Sequence, residues 1–209
     1  MVAGPLRTLA AESLLAPAEV AARRLLGTLL LREMDGIRVV ARIVETEAYR
    51  QDDPASHCYR RRTQRNEPMF AAPGTAYVYR SYGVHWCLNV SVEPSGVGAA
   101  VLVRSATVML GAEVVRRRRS QVGRDADLLR GPGCLTAGLD IDAVRFDGRS
   151  LLDSRAPLQL VEDGWEPPHD AVVAGPRVGV SAGAQRHWRF HLRGNDSVSA
   201  YRRSPQART

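Results

Sequence analysis

The sequence predicts a single mixed α/β domain, and three observations carry that reading. A chain of 209 residues with 44% hydrophobic and 24% charged residues has a globular composition and the length to bury a substantial core. Short runs that alternate with period two lie among segments of helical period, and no composition break, internal repeat or low-complexity linker divides them. No apolar run approaches the roughly 20 residues of a membrane span. The opening MVAGPLRTLAAESLLAPAE has no basic region leading into an unbroken apolar stretch, so no secretory signal is expected.

Residues 1–15 are small and weakly patterned and read as a flexible lead-in to a domain over 16–200. Pro17 and Glu19 suit the first turn of a helix that Gly27 stops. Residues 28–34 are apolar and strand-like, Asp35-Gly36 is a hairpin signal, and 37–49 is rich in β-branched residues. The polar stretch 50–74, with Pro54, Pro68 and Pro73, is long for a loop in a compact domain, a length that points to function. TAYVYRSYGVHWCLNVSV at 75–92 alternates on both sides of Tyr82-Gly83, which makes a hairpin with a tyrosine at its tip. Residues 99–104 read as a strand. Residues 108–119 read as a helix with Leu110, Val114 and Val115 on its apolar side, where the arginines at 116–119 complement the macrodipole. A short helical region at 125–139 is broken by Gly131-Pro132-Gly133. Short strands are expected at 158–162, 171–174, 177–181 and 189–193, and a disordered tail at 201–209.

Charge narrows the class of partner. Against 22 acidic residues stand 29 basic ones, a net charge of +7, and every basic residue is arginine. Such a balance points to a polyanion, with nucleic acid ahead of a membrane because no amphipathic basic helix dominates. Without lysine, Schiff-base chemistry from a side-chain amine and a P-loop lysine clamp are both excluded. Cys58, Cys87 and Cys134 lie far apart with no CxxC pair, which argues against a disulfide framework or a Cys-rich zinc site and suits a cytoplasmic location.

Strand parity places Glu45, Glu47 and Tyr49 on one face, with neighbours about 7 Å apart. Three readings stay open: a general base whose pKa is raised by burial and repulsion, two solvent-facing glutamates, or half of a metal pair that HxH or HxxxH spacings do not complete. Tyr49, Tyr77, Tyr79 and Tyr82 cluster about this strand and the hairpin. Strand packing explains three of them, but Tyr82, beside Gly83 at a tip, should project into solvent as an inserting side chain does. Asn89 lies on the face opposite to Leu88 and Val90, either reading a hydrogen-bonding edge or bonding backbone. Arg104 is a strand-end cap or a phosphate contact, and His57 lies in the long loop.

These residues fall in a familiar order. ARIVETEAY at 41–49, DPASH at 53–57, RNEPMF at 65–70, PGTAYVYRSYG at 73–83 and CLNV at 87–90 resemble the alkyladenine (3-methyladenine) DNA glycosylase family. GAAVLVRS at 98–105, GP at 131–132, RVGV at 177–180 and RFHLRG at 189–194 extend the likeness across residues 18–200. The resemblance implies a single mixed α/β (α+β) domain around a curved antiparallel sheet, with a protruding β-hairpin that inserts into the DNA minor groove. It implies Glu47 as the general base, with Arg104 beside the catalytic water and the target phosphate. Tyr49, His57 and Tyr79 match the side chains that sandwich the flipped base, Tyr82 the intercalating residue, and Asn89 the amide that disfavours guanine. The implied activity is a monofunctional glycosylase, needing no cofactor or metal, that acts on double-stranded DNA containing damaged purines as a monomer. Cys134 after Gly133, and Val84-His85-Trp86 after the tip, depart from the family's commoner residues. Two other classes stay open beside it, a non-catalytic damaged-DNA-binding module and a metal-dependent phosphodiesterase using Glu45 and Glu47.

Overall fold

The computed structural model describes residues 2–34 and 36–207. Its strands are β1 (Arg7–Thr8), β2 (Leu29–Met34), β3 (Ile37–Arg50), β4 (Ala76–Ser81), β5 (His85–Ser91), β6 (Ala99–Leu110), β7 (Leu158–Glu162), β8 (Val172–Gly175) and β9 (Arg189–Leu192). Among the described residues four short α-helices accompany them: α1 (Ala18–Arg24), α2 (Ala112–Arg118), α3 (Pro132–Gly138) and α4 (Ala143–Phe146). All strand pairings are antiparallel, in the order β1-β7-β2-β3-β6-β5-β4. β3 and β6, at 14 and 12 residues, form the spine. The sheet forks at β3, whose first half pairs with β2 and whose Glu45–Glu47 stretch pairs with β9, itself joined to β8.

Period-two patterning puts Val39, Ala41, Ile43, Ala48, Leu88, Val90, Val101 and Val103 into one core. Helix α1 closes it. Ala18, Ala21 and Ala22 are small enough to bring its backbone against β3, where the Thr46 hydroxyl donates to the Ala22 carbonyl at 2.8 Å. Tight packing of this kind leaves the opposite face of β3, β6, β5 and β4 free to carry polar groups.

The structure departs from the sequence reading in several places. β6 does not stop at Arg104: it runs to Leu110, taking in the Val108–Leu110 stretch expected to open a helix, because Thr107 and Val108 are β-branched and pair with Arg42 and Ala41. The turn to α2 comes at Gly111, whose φ of +78° suits glycine and whose close approach to the Arg38 carbonyl leaves no room for a Cβ. Residues 177–181 form a turn rather than a strand, with Val178 N–H bonded to a side chain instead of a ladder. The lead-in is docked: Arg7 and Thr8 pair with β7, and Leu9 and Leu14 are buried, so its few apolar side chains hold it down. Helix α4 was missed, although Asp142 caps it by accepting from Arg145 N–H at 2.9 Å. Met34 pairs with Ile37 as the expected hairpin requires, while Asp35 of that turn lies outside the described residues. Residues 201–207 hold no helix or strand, and 208–209 lie outside the described residues.

Candidate active site

Register across four strands assembles the site. Glu47 on β3 lies opposite Leu102 on β6, Leu102 opposite Asn89 on β5, and Asn89 opposite Tyr77 on β4. Directly paired residues share a face, so a two-residue step along each strand adds Tyr49, Arg104, Cys87 and Tyr79 to that face. An acid, an arginine, an amide and three phenols thus converge from residues far apart in sequence.

The acids are buried, not solvent-facing: Glu45 and Glu47 are both 0% exposed. Two compensating bulges shape this spot. Val44 on β3 and Arg104 on β6 are each left without a Cα partner, so the register slips by one residue and then recovers. The slip lets consecutive residues reach the same carboxylate: Arg104 Nε donates to Glu45 Oε1 at 2.9 Å and the Ser105 hydroxyl to Oε2 at 2.6 Å. Arg189 Nε at 2.7 Å and the Ser199 backbone N–H and hydroxyl at 2.9 and 2.8 Å complete the shell around Glu45. Burial alone would push the Glu45 carboxyl up, but Arg104 and Arg189 outweigh it and hold the group down at about 2. Glu45 is therefore a permanent anion, and the expectation of a raised pKa fails for it because two guanidiniums share its pocket.

Arg104 joins the two acids, its Nη1 lying 3.1 Å from Glu47 Oε2. A guanidinium stands where a metal ion shared by the two carboxylates would stand. Burial works against the charge on Arg104, yet Glu47 and Glu45 more than offset this and keep it protonated. Glu47 also accepts from the Tyr49 hydroxyl at 2.8 Å on Oε2 and from Val178 N–H at 2.7 Å on Oε1. Burial, reinforced by Glu47, raises the Tyr49 phenol far above its ordinary value, so it stays a donor. Three of the roughly four acceptor positions of the Glu47 carboxylate are thereby filled, and one remains.

The aromatic wall comes partly from the long loop. A capping box at Thr63 and Asn66 orders the turn Gln64–Phe70, and Asn66 Nδ2 donates to the carbonyls of His57 and Arg61 at 2.8 and 2.9 Å. His57 Nδ1 lies 2.9 Å from the Tyr77 hydroxyl, and its ring meets Tyr79 edge-on with centroids 4.5 Å apart. Tyr77 and Tyr79 are stacked at 5.3 Å. Burial, with Arg65 nearby, lowers the His57 pKa, so the ring is neutral at physiological pH. Asn89 is buried, with Nδ2 donating to the Tyr77 carbonyl at 3.0 Å.

Tyr49, His57, Tyr79, Tyr82, Asn89 and Arg104 all line one open cleft of about 950 Å³. Glu47 lies beneath its floor, behind Tyr49 and Arg104. At the rim, Tyr82 (φ +49°) and Gly83 (φ +69°) occupy the two central positions of the hairpin turn, and Val84 N–H donates to the Ser81 carbonyl at 2.9 Å. Two positive φ values mark a type I′-like turn, and the Ser81–His85 pairing leaves Tyr82, Gly83 and Val84 as a three-residue tip. Tyr82 is 91% and Val84 73% exposed there.

The model of the methylpurine-DNA glycosylase family matches residues 12–196. The chain belongs to that family. Proteins provisionally named 3-methyladenine DNA glycosylase from Nocardia farcinica and Rhodococcus jostii are 47% and 46% identical to it, over 94% and 90% of this chain and 92% and 82% of their own lengths. One from Mycobacterium tuberculosis is 44% identical over 94% of this chain and 96% of its own.

Within this methylpurine-DNA glycosylase family member, the departures have local explanations. Cys134 accepts from Arg119 Nη2 at 2.9 Å, and the His85 ring sits where a Cβ on Gly133 would be, 2.7 Å from it. The sequence assigns no role to Arg177, Arg189 and Asp53, which are buried outside the cleft, or to Ser199, which lines it. Arg177 and Arg189 stood in the RVGV and RFHLRG segments, an arginine leading an apolar run in each, and that was the available signal.

Proposed function

We propose that this protein is a base-excision-repair DNA glycosylase that flips alkylated or deaminated purines out of duplex DNA and hydrolyses the N-glycosidic bond. The candidate substrates are 3-methyladenine, 7-methylguanine, hypoxanthine and ethenoadenine, and the product is an abasic site. The observation that carries the proposal is the convergence of buried Glu47, paired with Arg104, beneath an aromatic cleft whose rim bears an exposed tyrosine.

Each residue has a role in that reaction. A base must leave the stack to be reached, at a cost of a few kcal/mol that is smallest for damaged or mismatched bases. Tyr82 enters the duplex from the minor groove and fills the space the base vacates. Tyr49, His57 and Tyr79 hold the flipped base, and stacking a cationic N-alkylpurine on the tyrosines gains roughly 0.5–2 kcal/mol each. A neutral His57 supports this, since a protonated ring would repel such a base. Glu47 takes the proton of a water through its remaining acceptor position as the water oxygen bonds to C1′. The C1′–N bond breaks, and its electron pair leaves with the purine. A cationic base leaves readily without help, whereas hypoxanthine needs protonation as well. Arg104 faces the attacking water and the target phosphate. Without lysine no lysine Schiff base can form, which supports a monofunctional enzyme that leaves the strand uncut.

A duplex with one hypoxanthine or ethenoadenine, incubated with the protein in EDTA and then treated with hot alkali, tests the proposal. Strand scission only after alkali supports a metal-independent monofunctional glycosylase. Intact strands, with methylated DNA also untouched, would favour a damaged-DNA-binding module, and activity lost in EDTA would favour a metal-dependent phosphodiesterase.

Two substitutions probe the rim and the pocket. Tyr82→Ala raises the lesion dissociation constant about tenfold or more while affinity for undamaged duplex changes little, as titration of both duplexes would measure. Asn89→Ser relaxes the exclusion of guanine, and the ratio of hypoxanthine to guanine excision rates falls. An unaltered ratio would remove Asn89 from the specificity role.

A further inference from the structure

The sheet face of Tyr49 that lines the cleft is backed by an ion pair that the reaction above does not use. Arg177 and Asp53 both have fully buried side chains. Both Nη atoms of Arg177 engage the Asp53 carboxylate, with Nη2 3.0 Å from Oδ1, and Nη1 also donates to the carbonyl of Ala48 at 3.0 Å. Its guanidinium carbon lies 4.7 Å from the centroid of the Tyr49 ring. Tyr49 borders the cleft and Arg177 does not, so the cation meets the ring from outside the cavity. Asp53 Oδ1 also accepts from Ala55 N–H at 3.2 Å, in the turn that leads to His57.

A buried ion pair costs more to desolvate than an apolar brace of the same volume. A Leu or Met behind Tyr49 would hold the ring as well and at less cost. What the pair adds is an electrostatic setting. An uncompensated guanidinium on one side of a phenol ring draws its π density and repels any cation stacked on the other. The full Asp53 charge, with both oxygens near the guanidinium, cancels that field.

Resting on the reading of Tyr49 as a stacking wall, we infer that the Arg177–Asp53 pair is a specificity-determining support. It fixes Tyr49 and the turn before His57 while cancelling the field of Arg177 at the ring, so that the cleft accepts a cationic purine as well as a neutral one.

The test compares binding of two duplexes, one with 7-methylguanine (cationic) and one with ethenoadenine (neutral), each on a 2′-fluorinated sugar that slows cleavage. In Asp53→Asn the field of Arg177 is uncompensated, and affinity for the cationic lesion falls by roughly tenfold relative to the neutral one. In Arg177→Gln the leftover anion shifts the ratio the other way. The double variant, neutral again, returns the ratio to near that of the parent protein. A purely structural role would weaken both lesions alike, so parallel losses in both single variants would overturn the inference. Should Asp53→Asn fail to fold, an unchanged ratio in Arg177→Gln overturns it by itself. If the parent protein prefers neither lesion over undamaged duplex, the glycosylase reading fails, and that result is distinct from a parent that discriminates lesions while the variants leave its ratio untouched.

Discussion

Glu47→Gln should reduce single-turnover excision by about 10²–10⁴-fold, the contribution of a positioned general base, while lesion binding persists. The substitution is nearly isosteric, and the surroundings of Glu47 say what else it changes. Val178 N–H can still donate to the Gln oxygen. The amide nitrogen then faces the Tyr49 hydroxyl, which can rotate to accept, and Arg104 Nη1, which cannot. Arg104 keeps its bond to Glu45, so the floor of the cleft stays assembled. Excision kinetics and a lesion titration on the same preparation separate the outcomes. Loss of excision with retained affinity supports the base, and full excision would sink it.

Glu47, Tyr49, Asn89 and Tyr79 were legible in the sequence because strand parity is a local rule: once 37–49 and 75–92 read as strands, the face of each residue follows. The hairpin tip was legible for the same reason, since Tyr82-Gly83 between two alternating runs leaves the tyrosine nowhere to pack. The electrostatics of the acids were not legible. Whether two glutamates on one face are solvated or buried depends on residues 104, 189 and 199, which arrive through a bulge in β6, the fork at β3 and an irregular segment after β9. Spacing within one strand carries no trace of them. The end of β6 was misread because Leu110, Val114 and Val115 also fit a helical period, and only pairing with Arg42, Ala41 and Val40 decides in favour of strand through Leu110.

Arg104→Met should be the most destabilising single substitution at the site, because it leaves buried Glu45 with Arg189 alone and buried Glu47 with no paired cation. Breaking a buried pair from one side costs roughly 3–5 kcal/mol, which for a chain of this size lowers Tm by about 10 °C. Its pH dependence identifies the cause. In the parent protein Glu45 titrates at about 2, below its unfolded value, so its contribution to stability is complete above the unfolded pKa and is lost only as pH falls toward 2. The parent is therefore insensitive to this group between about pH 7.5 and about pH 5. Without Arg104 the buried carboxylates lose the cation that joins them, protonation relieves the unpaired charge, and the variant should become relatively more stable as the medium is acidified through that range. Calorimetry at both ends of the range should show the Tm gap between parent and variant narrowing toward the acid end, with Glu47→Gln added to Arg104→Met recovering part of the loss at neutral pH, since Glu45 keeps Arg189 while Glu47 keeps no paired cation. A gap that stays constant with pH, and a double variant no more stable than the single one, would mean that Arg104 contributes packing rather than charge, and the role assigned to it beside Glu47 would have to be withdrawn.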